Sequence, residues 1–115
     1  MSSLAFASDS LNELSPCFEK SHCAFIELKV DDLQISFKNA EKAIQNLQRT
    51  EIVNKRPLYL QAVSKTRWMH FLDDIEINGI PERNSIQIRS ESRIGVSDFG
   101  VNQRRLDYVL GLIGS

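Results

Sequence analysis

The segment 89–105 carries the densest run of chemically capable side chains in the sequence. Charged groups, hydroxyls and two glycines lie there between a predicted strand and the last predicted helix. Such groups at the start of a helix could bind a small anion, because the free backbone N–H groups and the helix dipole favour negative charge. They could equally form a buried hydrogen-bonded network that fixes the helix on a sheet. The residue types therefore predict a polar cluster and leave its role open.

Asp73 is the first predicted member of this cluster outside the segment. It interrupts the apolar alternation of a predicted strand, between Phe71 and Ile75, on the face that should point toward the covering helices. A buried carboxylate is costly unless it is paired or hydrogen-bonded. Asp73 therefore needs polar partners from the next strand or from the last helix.

A hairpin that pairs Ile77 with Ile86 would supply those partners. This register gathers the apolar residues on one face and opposite charges on the other, whereas a shift by one residue would mix the faces. It sets Asp73 opposite Ser90, Phe71 opposite Ser92, Glu76 opposite Gln87, Asp74 opposite Arg89 and His70 opposite Arg93.

The last helix completes the predicted cluster. Asn102 shares a helical face with Leu106 and Val109, so it should point toward the sheet, and Arg105 lies one turn further along. Ser97 and Asp98 can cap this helix. The candidate binding residues are therefore Asp73, Asp74, Arg89, Ser90, Ser92, Arg93, Asp98, Asn102 and Arg105.

Catalysis has weaker support in the sequence. His70 should point away from Ser90 by strand alternation, and Asp73 and Asp74 face opposite sides, so neither pair forms a catalytic dyad. The sequence contains no Gly-x-Ser-x-Gly elbow. The main hypothesis is a non-catalytic binding or accessory domain for a protein complex or a small anionic ligand. The alternative is a small hydrolase or isomerase that uses Asp73, Ser90 and Arg105.

Two structural outcomes would separate these hypotheses. A deep pocket over Asp73 would favour the enzyme. A filled polar core beside an exposed apolar patch would favour a binding partner. Trp68 and Tyr59 are interpreted as packing or rim residues rather than as platforms for stacking bases.

The composition sets further limits. The chain has 115 residues and a net charge of −1, which gives no electrostatic signature for nucleic acid or an anionic membrane. No apolar run approaches the roughly 20 residues of a membrane-spanning helix. The sequence predicts no cofactor, no nucleic-acid partner and no integral membrane segment.

The N-terminal region carries two open questions. Residues 1–15 are predicted to be flexible, ahead of a single domain over 16–115, and Ala5-Phe6-Ala7 is similar to the end of a cleaved signal peptide. The expected location is cytoplasmic for the sequence as given. The periplasm or the thylakoid lumen is the alternative if a precursor segment is missing.

Cys17 and Cys23 should form a disulfide in an oxidising compartment and stay free in a cytosol. A metal site with His22 is the weaker hypothesis because zinc-type ligand spacing is absent.

Periodicity predicts the elements that position the cluster. An apolar stripe at steps of three and four residues indicates a helix over roughly 32–48, and a second stripe indicates a helix over 101–113. Alternating segments indicate antiparallel strands between 51 and 93, and 24–30 is loosely extended. The predicted fold is α+β in two layers, with an antiparallel meander of about four strands flanked by an N-terminal and a C-terminal helix.

Two motifs resemble a known family. The pattern Phe-x-Asp-Asp-x-Glu at 71–76 and the pattern Arg-Ser-x-Ser-Arg-x-Gly-x-Ser-Asp-x-Gly-x-Asn-x-x-Arg at 89–105 are similar to domain-of-unknown-function family 1499, which has bacterial, cyanobacterial and plant members. Pro16-Cys17 and Cys23 resemble its Pro-Cys…Asn-Cys entry, with His22 in the place of Asn. Some members carry a membrane-anchoring or export segment ahead of the domain. The resemblance implies no specific activity.

Overall fold

The computed structural model describes residues 13–113, which form one sheet and two long helices. In chain order the elements are β1 (Cys23–Lys29), α1 (Leu33–Asn46), β2 (Thr50–Arg56), β3 (Tyr59–Lys65), β4 (Leu72–Ile80), a 3₁₀ turn (Pro81–Arg83), β5 (Ser85–Ser92) and α2 (Val101–Ile113). The sheet has five strands in the order β1-β5-β4-β3-β2, and every neighbouring pair is antiparallel. The predicted α+β class is confirmed, with β1 as one strand more than the predicted meander.

The helices form where the sequence places an apolar stripe behind a cap. Asp32 caps α1, and its carboxylate accepts a hydrogen bond from the Ile35 backbone N–H at 3.1 Å. Leu33, Phe37 and Ile44 are buried on one side of this helix. Leu106, Val109 and Ile113 form the matching stripe on α2. Both helices cover the same face of the sheet, which produces the two layers.

The core lies between the helices and the middle strands. Its sheet side consists mainly of fully buried aliphatic residues at alternating positions, as the strand period requires. These are Leu60 and Ala62 of β3, Ile75 and Ile77 of β4, and Ile86 and Ile88 of β5. Burial of this apolar layer is the main force that fixes which face of the sheet meets the helices.

The predicted hairpin register is wrong by two residues. In the structure Ile77 pairs with Ile88, Ile75 with Ser90, Asp73 with Ser92, Asp74 with Glu91 and Glu76 with Arg89. The cause is the turn: β4 continues through Asn78, Gly79 and Ile80, and the chain reverses at Pro81–Arg83. Asn84 completes the reversal in the left-handed conformation, with φ 49°. A shift by two residues keeps each side chain on its predicted face.

The start of the third predicted strand is also corrected. The alternation of that predicted strand includes Phe71 and extends back to Met69, but β4 begins at Leu72. Residues 66–71 form the loop between β3 and β4, and Met69 is exposed. The apolar character of these two residues therefore belongs to a loop and not to the core.

The region ahead of β1 contacts the face of the sheet opposite the helices. Glu13 accepts hydrogen bonds from the Arg83 guanidinium at 3.0 Å, and the Leu14 backbone N–H donates to the Gln87 side-chain oxygen at 2.9 Å. Gln87, predicted to face outward, is buried there. Residues 1–12, which hold most of the predicted flexible terminus and the motif Ala5-Phe6-Ala7, lie outside the described residues. The boundary at residue 15 stays a prediction.

Candidate functional site

A row of polar side chains crosses the sheet near one end, on the face covered by the helices. The pairing of β2 to β5 sets Thr50 opposite Ser64, Ser64 opposite Asp73, and Asp73 opposite Ser92. The Thr50 hydroxyl donates to the Ser64 hydroxyl at 2.8 Å. Because apolar rows fill the rest of this face, the polar row requires partners from the helix layer.

Arg105 of α2 supplies the main partner. Its Nη1 group donates to Asp73 Oδ2 at 3.0 Å and to Ser90 Oγ at 2.9 Å, while Nη2 lies 3.4 Å from Ser64 Oγ. The Arg105 side chain is 9 % exposed and that of Asp73 is fully buried. Strand alternation correctly placed Asp73 on the covered face, and its charge is neutralised there by a buried guanidinium.

Asn102 joins the remaining groups of the cluster. Its Oδ1 accepts from the Ser90 hydroxyl at 2.6 Å and from Arg105 Nη1 at 2.9 Å. Its Nδ2 group donates to Ser92 Oγ and to the His22 backbone carbonyl, both at 3.1 Å, and also to Asp98. One fully buried amide thus connects α2, β5 and the chain ahead of β1.

Asp98 holds the start of α2. Its Oδ1 accepts from the Gly100 backbone N–H at 2.8 Å, and its Oδ2 accepts from the Asn102 backbone N–H at 3.2 Å. Partial burial would raise the pKa of this carboxyl, but the hydrogen bonds from Gly100 and Asn102 outweigh it and hold the pKa below its usual range. Asp98 therefore occupies the N–H groups of Gly100, Val101 and Asn102, which could otherwise have bound an external anion.

The sheet separates the other candidate residues from this cluster. Asp74 lies on the opposite face, where Arg93 donates to it through Nε at 3.0 Å and Nη2 at 2.9 Å. Arg89 lies on that face too, and its Nη2 is 2.8 Å from Glu91 Oε1. The predicted pairing of Asp74 with Arg89 is wrong, because the register shift sets Asp74 opposite Glu91.

Three groups of the cluster were missed in the sequence. Thr50 and Ser64 extend the polar row, and the His22 carbonyl accepts from Asn102. Ser64 carried a readable signal, because it continues the buried alternation of Leu60 and Ala62. No sequence rule would have placed the backbone of His22 beside α2.

The cluster lacks the arrangement of a nucleophile and its base. The Ser90 hydroxyl is fully buried and donates to an amide oxygen rather than to a base. His70 lies in the exposed loop before β4. Asp73 Oδ1 is buried and has no hydrogen-bond partner among residues 13–113. Within the same residues, no group of three or more His, Cys, Asp or Glu side chains is arranged to hold a metal ion.

A second region, at the same end of the sheet, has the opposite character. Two loops, 66–71 and 93–100, expose five large apolar side chains, which we term the apolar end. They are Trp68, Met69, Ile94, Val96 and Phe99, of which Trp68 is 81 % exposed and Phe99 is 85 % exposed. A cleft of about 340 Å³ lies between the loops, with Phe71, Val101 and Arg105 also on its walls.

The first loop is held in shape by its own hydrogen bonds. The Thr66 backbone N–H donates to the Phe71 carbonyl at 2.8 Å, and the Phe71 N–H donates to the Thr66 hydroxyl at 2.8 Å. The His70 N–H donates to the Thr66 carbonyl at 3.1 Å. The loop is closed at its base, so Trp68 and Met69 are held outward at its tip.

The second loop is fixed beside the cluster and presents Phe99. The Asp98 N–H donates to the Ser21 carbonyl at 2.9 Å, and Arg104 Nη1 donates to the Phe99 carbonyl at 3.1 Å. Phe99 has φ 54°, a left-handed conformation that is unfavourable for a bulky residue. Its ring recovers little of that cost by packing, because it is almost fully exposed. Strain at an exposed aromatic residue is typical of a functional position.

Cations surround the apolar end. Arg49, Lys65 and Arg67 line the cleft, and the Arg67 guanidinium lies 5.2 Å from the centre of the Trp68 ring. The opposite end of the sheet exposes charges of both signs, namely Asp31, Asp32 and Glu82 together with Lys29, Lys55 and Arg56. The prediction from the net charge of −1, that there is no electrostatic signature for nucleic acid or an anionic membrane, stays a prediction.

A short disulfide loop supports both regions. Cys17 and Cys23 are bonded, with their Cα atoms 5.8 Å apart. Between them, the Ser21 carbonyl accepts from Asp98, and the His22 carbonyl accepts from the Ser92 N–H at 2.9 Å. The covalent loop thus fixes the carbonyls that bind the start of α2 and the end of β5.

Fold and site together define a small α+β domain in which a buried ion-pair cluster fastens the C-terminal helix to an antiparallel sheet. The chain matches the model of the family described as "Protein of unknown function (DUF1499)" over residues 6–112, and it belongs to that family. The suspected resemblance is thereby confirmed. No curated protein shows significant similarity to the chain. Neither helix of residues 13–113 is both long enough and apolar enough to span a membrane.

Proposed function

We propose that this chain is a non-catalytic binding domain whose recognition surface is the apolar end. The observation that carries the proposal is the exposure of Trp68 and Phe99 on two hydrogen-bonded loops, beside a buried and internally hydrogen-bonded polar cluster. Contiguous exposed apolar side chains rimmed by charge are typical of interaction surfaces. The partner should present apolar groups together with negative charge, because Arg49, Lys65 and Arg67 lie beside the exposed rings.

The polar cluster has a structural role in this proposal. Arg105 is neutralised by Asp73, and the first N–H groups of α2 are taken by Asp98. A small anion at the cluster would have to displace these internal partners. The sequence suggested a protein complex or a small anion as the partner. A large partner that covers the apolar end therefore has more support than a small anion bound by Asp73, Ser90 and Asn102.

The alternative of a small hydrolase or isomerase has less support. It needs an accessible nucleophile at Ser90, whose hydroxyl is buried and donates to Asn102 at 2.6 Å. It also needs Arg105 to be free to bind substrate, whereas Arg105 Nη1 makes three hydrogen bonds inside the cluster. The cleft between the loops is lined by Ser92, Asp98 and Arg105 of the cluster, whereas Ser90 and Asp73 do not line it.

The disulfide bears on the compartment. A bond between Cys17 and Cys23 persists in an oxidising environment and is rare in a cytosol. It supports the periplasm or the thylakoid lumen over the cytoplasm. Alkylation and mass measurement of protein taken from its native cell would distinguish the two, because free thiols would add the alkylating group.

Binding of the dye 8-anilinonaphthalene-1-sulfonate tests the proposed surface. The dye combines an apolar ring system with a negative charge and fluoresces in apolar surroundings. We expect the wild type to bind it and the double variant Trp68→Ser/Phe99→Ser to lose most of the signal. Transfer of excitation from Trp68 to the dye would locate the site, because the chain has one tryptophan.

Phe18→Ser is the matched control. Phe18 is 93 % exposed and lies in the disulfide loop. The substitution therefore removes a comparable exposed ring from another surface. The control should bind the dye as the wild type does. Equal dye binding by the wild type and the double variant, with both variants folded, would contradict the proposal.

A further inference from the structure

We infer that the partner of the apolar end is the surface of an anionic lipid bilayer, into which the two loop tips insert. This inference rests on the proposed function, because it uses the same surface and specifies its partner. It goes further by assigning the domain a peripheral membrane attachment that requires no spanning helix.

The shape of the surface favours lipid over a folded protein. The exposed apolar residues lie on two separate tips, one at Trp68 and Met69 and the other at Phe99, with a cleft of about 340 Å³ between them. A folded partner would need a surface that complements both tips and the cleft to reach the packing density of protein interfaces. Acyl chains and headgroups are fluid and adapt to a surface with two tips and a cleft.

The residue types favour the depth at which headgroups meet acyl chains. Tryptophan is enriched at that depth because its ring is amphipathic, and arginine and lysine bury their stems while their charged ends stay in water. Arg67 lies over the Trp68 ring at 5.2 Å, so the pair offers an apolar body and a cation at one loop tip. Phe99 and Val96 supply purely apolar groups on the other loop.

The charges favour an anionic surface. Arg49, Lys65, Arg67 and Arg104 surround the tips, while the single carboxylate within loops 66–71 and 93–100, Asp98, is engaged as the cap of α2. At the far end of the sheet, cations and carboxylates are mixed, so the apolar residues single out the end with loops 66–71 and 93–100. A negative plane would attract the cations beside the loops, and the exposed rings of Trp68 and Phe99 set the orientation in which the loops meet the lipid.

The strained backbone is consistent with this arrangement. Phe99 is held with φ 54° and an exposed ring, which lowers the stability of the free domain. Insertion of the ring among acyl chains would return apolar burial that the protein itself does not supply. The hydrogen-bonded base of loop 66–71 gives Trp68 the same preset direction.

Vesicle binding tests the inference directly. The oxidised wild-type protein is mixed with vesicles of phosphatidylcholine alone or of phosphatidylcholine with anionic phosphatidylglycerol, and bound protein is separated by flotation. We expect binding to the anionic vesicles, weak binding to the neutral ones, and loss of binding as salt is raised. The emission of Trp68, the one tryptophan, should shift to shorter wavelength on binding.

Two double variants separate the apolar and the charged contributions, and a third double variant serves as the control. Met69→Ser/Phe99→Ser keeps the Trp68 probe and should reduce both flotation and the emission shift. Lys65→Ala/Arg67→Ala should lower the partition coefficient about 25-fold, since each cation near an anionic surface is worth about fivefold. Lys29→Ala/Lys38→Ala removes two exposed cations outside the apolar end and should bind within about twofold of the wild type.

The outcomes distinguish this inference from the proposed function. If vesicles of both kinds fail to bind while the anionic dye still binds through Trp68 and Phe99, the bilayer is excluded and a protein partner becomes the occupant of the same surface. If vesicles bind equally well to the wild type and to Met69→Ser/Phe99→Ser, the assigned surface itself is wrong. Binding to neutral and anionic vesicles alike would overturn the role given to the cations.

Discussion

Asp73 and Phe99 each occupy a position that is energetically unfavourable for the residue type. Inside the domain, the cost is compensated for Asp73 and not for Phe99. Asp73 is a buried carboxylate whose charge is matched by Arg105 through Oδ2, while its Oδ1 has no hydrogen-bond partner among residues 13–113. Phe99 is a strained aromatic residue whose ring meets no internal partner that would bury it. A cost that is compensated inside the domain indicates architecture, whereas a cost left uncompensated indicates a role that is completed by something outside it.

The same comparison separates the polar cluster from the apolar end. In the cluster, hydroxyls, amide and guanidinium are bonded to one another, and Asp73 Oδ1 is the one buried side-chain acceptor there without a partner among residues 13–113. At the apolar end, loop backbones are bonded but side chains are not covered. The first region fixes α2 on the sheet, and the second is free to bind.

The largest effect is expected from breaking the buried ion pair. Asp73→Ala leaves the Arg105 guanidinium, which is 9 % exposed, without its counter-charge, and should lower the free energy of unfolding by about 3–5 kcal/mol. Asp74→Ala is the matched control on the other face, where its pair with Arg93 is partly exposed and worth at most about 1 kcal/mol. Urea denaturation of both variants measures the difference. Equal losses would contradict the structural role of the cluster.

The disulfide should come next in size. Cys17→Ser/Cys23→Ser opens a loop with a sequence separation of 6 and should cost about 2 kcal/mol in the chain-entropy model. Because the Ser21 carbonyl bonds to Asp98, hydrogen exchange at the start of α2 should also become faster. Unchanged exchange at Asp98, Gly100 and Asn102 would show that the loop does not support the cluster.

The acid limb of stability tests a network far from both regions. The hydrogen bond from Arg83 lowers the pKa of Glu27 from 4.5 to about 2, so its contribution is present above pH 4.5 and is lost as the pH falls toward 2. Solvent screening keeps this contribution small, since the Arg83 side chain is 38 % exposed. Glu27→Gln should be less stable at neutral pH and should lose less between pH 4.5 and 2. If Glu27→Gln and the wild type lose the same free energy of unfolding between pH 4.5 and 2, the Glu27 carboxylate does not contribute to this loss.

The smallest effect on stability should accompany a large effect on binding. Phe99→Gly relieves the left-handed backbone and should raise the free energy of unfolding by up to about 1 kcal/mol, while dye and vesicle binding fall. Gly100→Ala is the opposite control, because Gly100 has φ +82° and a Cβ there would lie 3.0 Å from Arg104 Nη1. Thermal melts of the two variants should move in opposite directions. A marked loss of stability in Phe99→Gly would show that its ring packs against the domain.

The sequence predicted what depends on local period and failed where longer contacts decide. Alternation placed Asp73 on the covered face, and helical period placed Asn102 beside it, because both follow from the direction of the side chain along one element. The register depended on where the hairpin turns, and both Asn78-Gly79 and Pro81–Arg83 carry turn chemistry. The turn at Pro81–Arg83 is selected by the pairing of β4 with β5 along their whole length.

The apolar end could not be predicted for a different reason. Met69 and Phe71 fit the period of a strand, and Trp68 was interpreted as a packing or rim residue, so apolar character was equated with burial. The hydrogen bonds between Thr66 and Phe71 close a loop instead, and the tip is turned outward. Arg49 joins Lys65 and Arg67 through the pairing of β2 with β3, in which the Lys65 N–H donates to the Arg49 carbonyl at 2.9 Å.

Dye binding by Asp73→Ala, measured at a temperature where circular dichroism shows the variant to be folded, tests the central claim most directly. The claim is that the cluster holds the fold and the apolar end binds. The account predicts that Asp73→Ala melts well below the wild type yet binds 8-anilinonaphthalene-1-sulfonate with the same affinity. Trp68→Ser/Phe99→Ser should melt as the wild type does and bind little dye. A folded Asp73→Ala that has lost the dye, beside a double variant that keeps it, would contradict the account and return the binding role to the polar cluster.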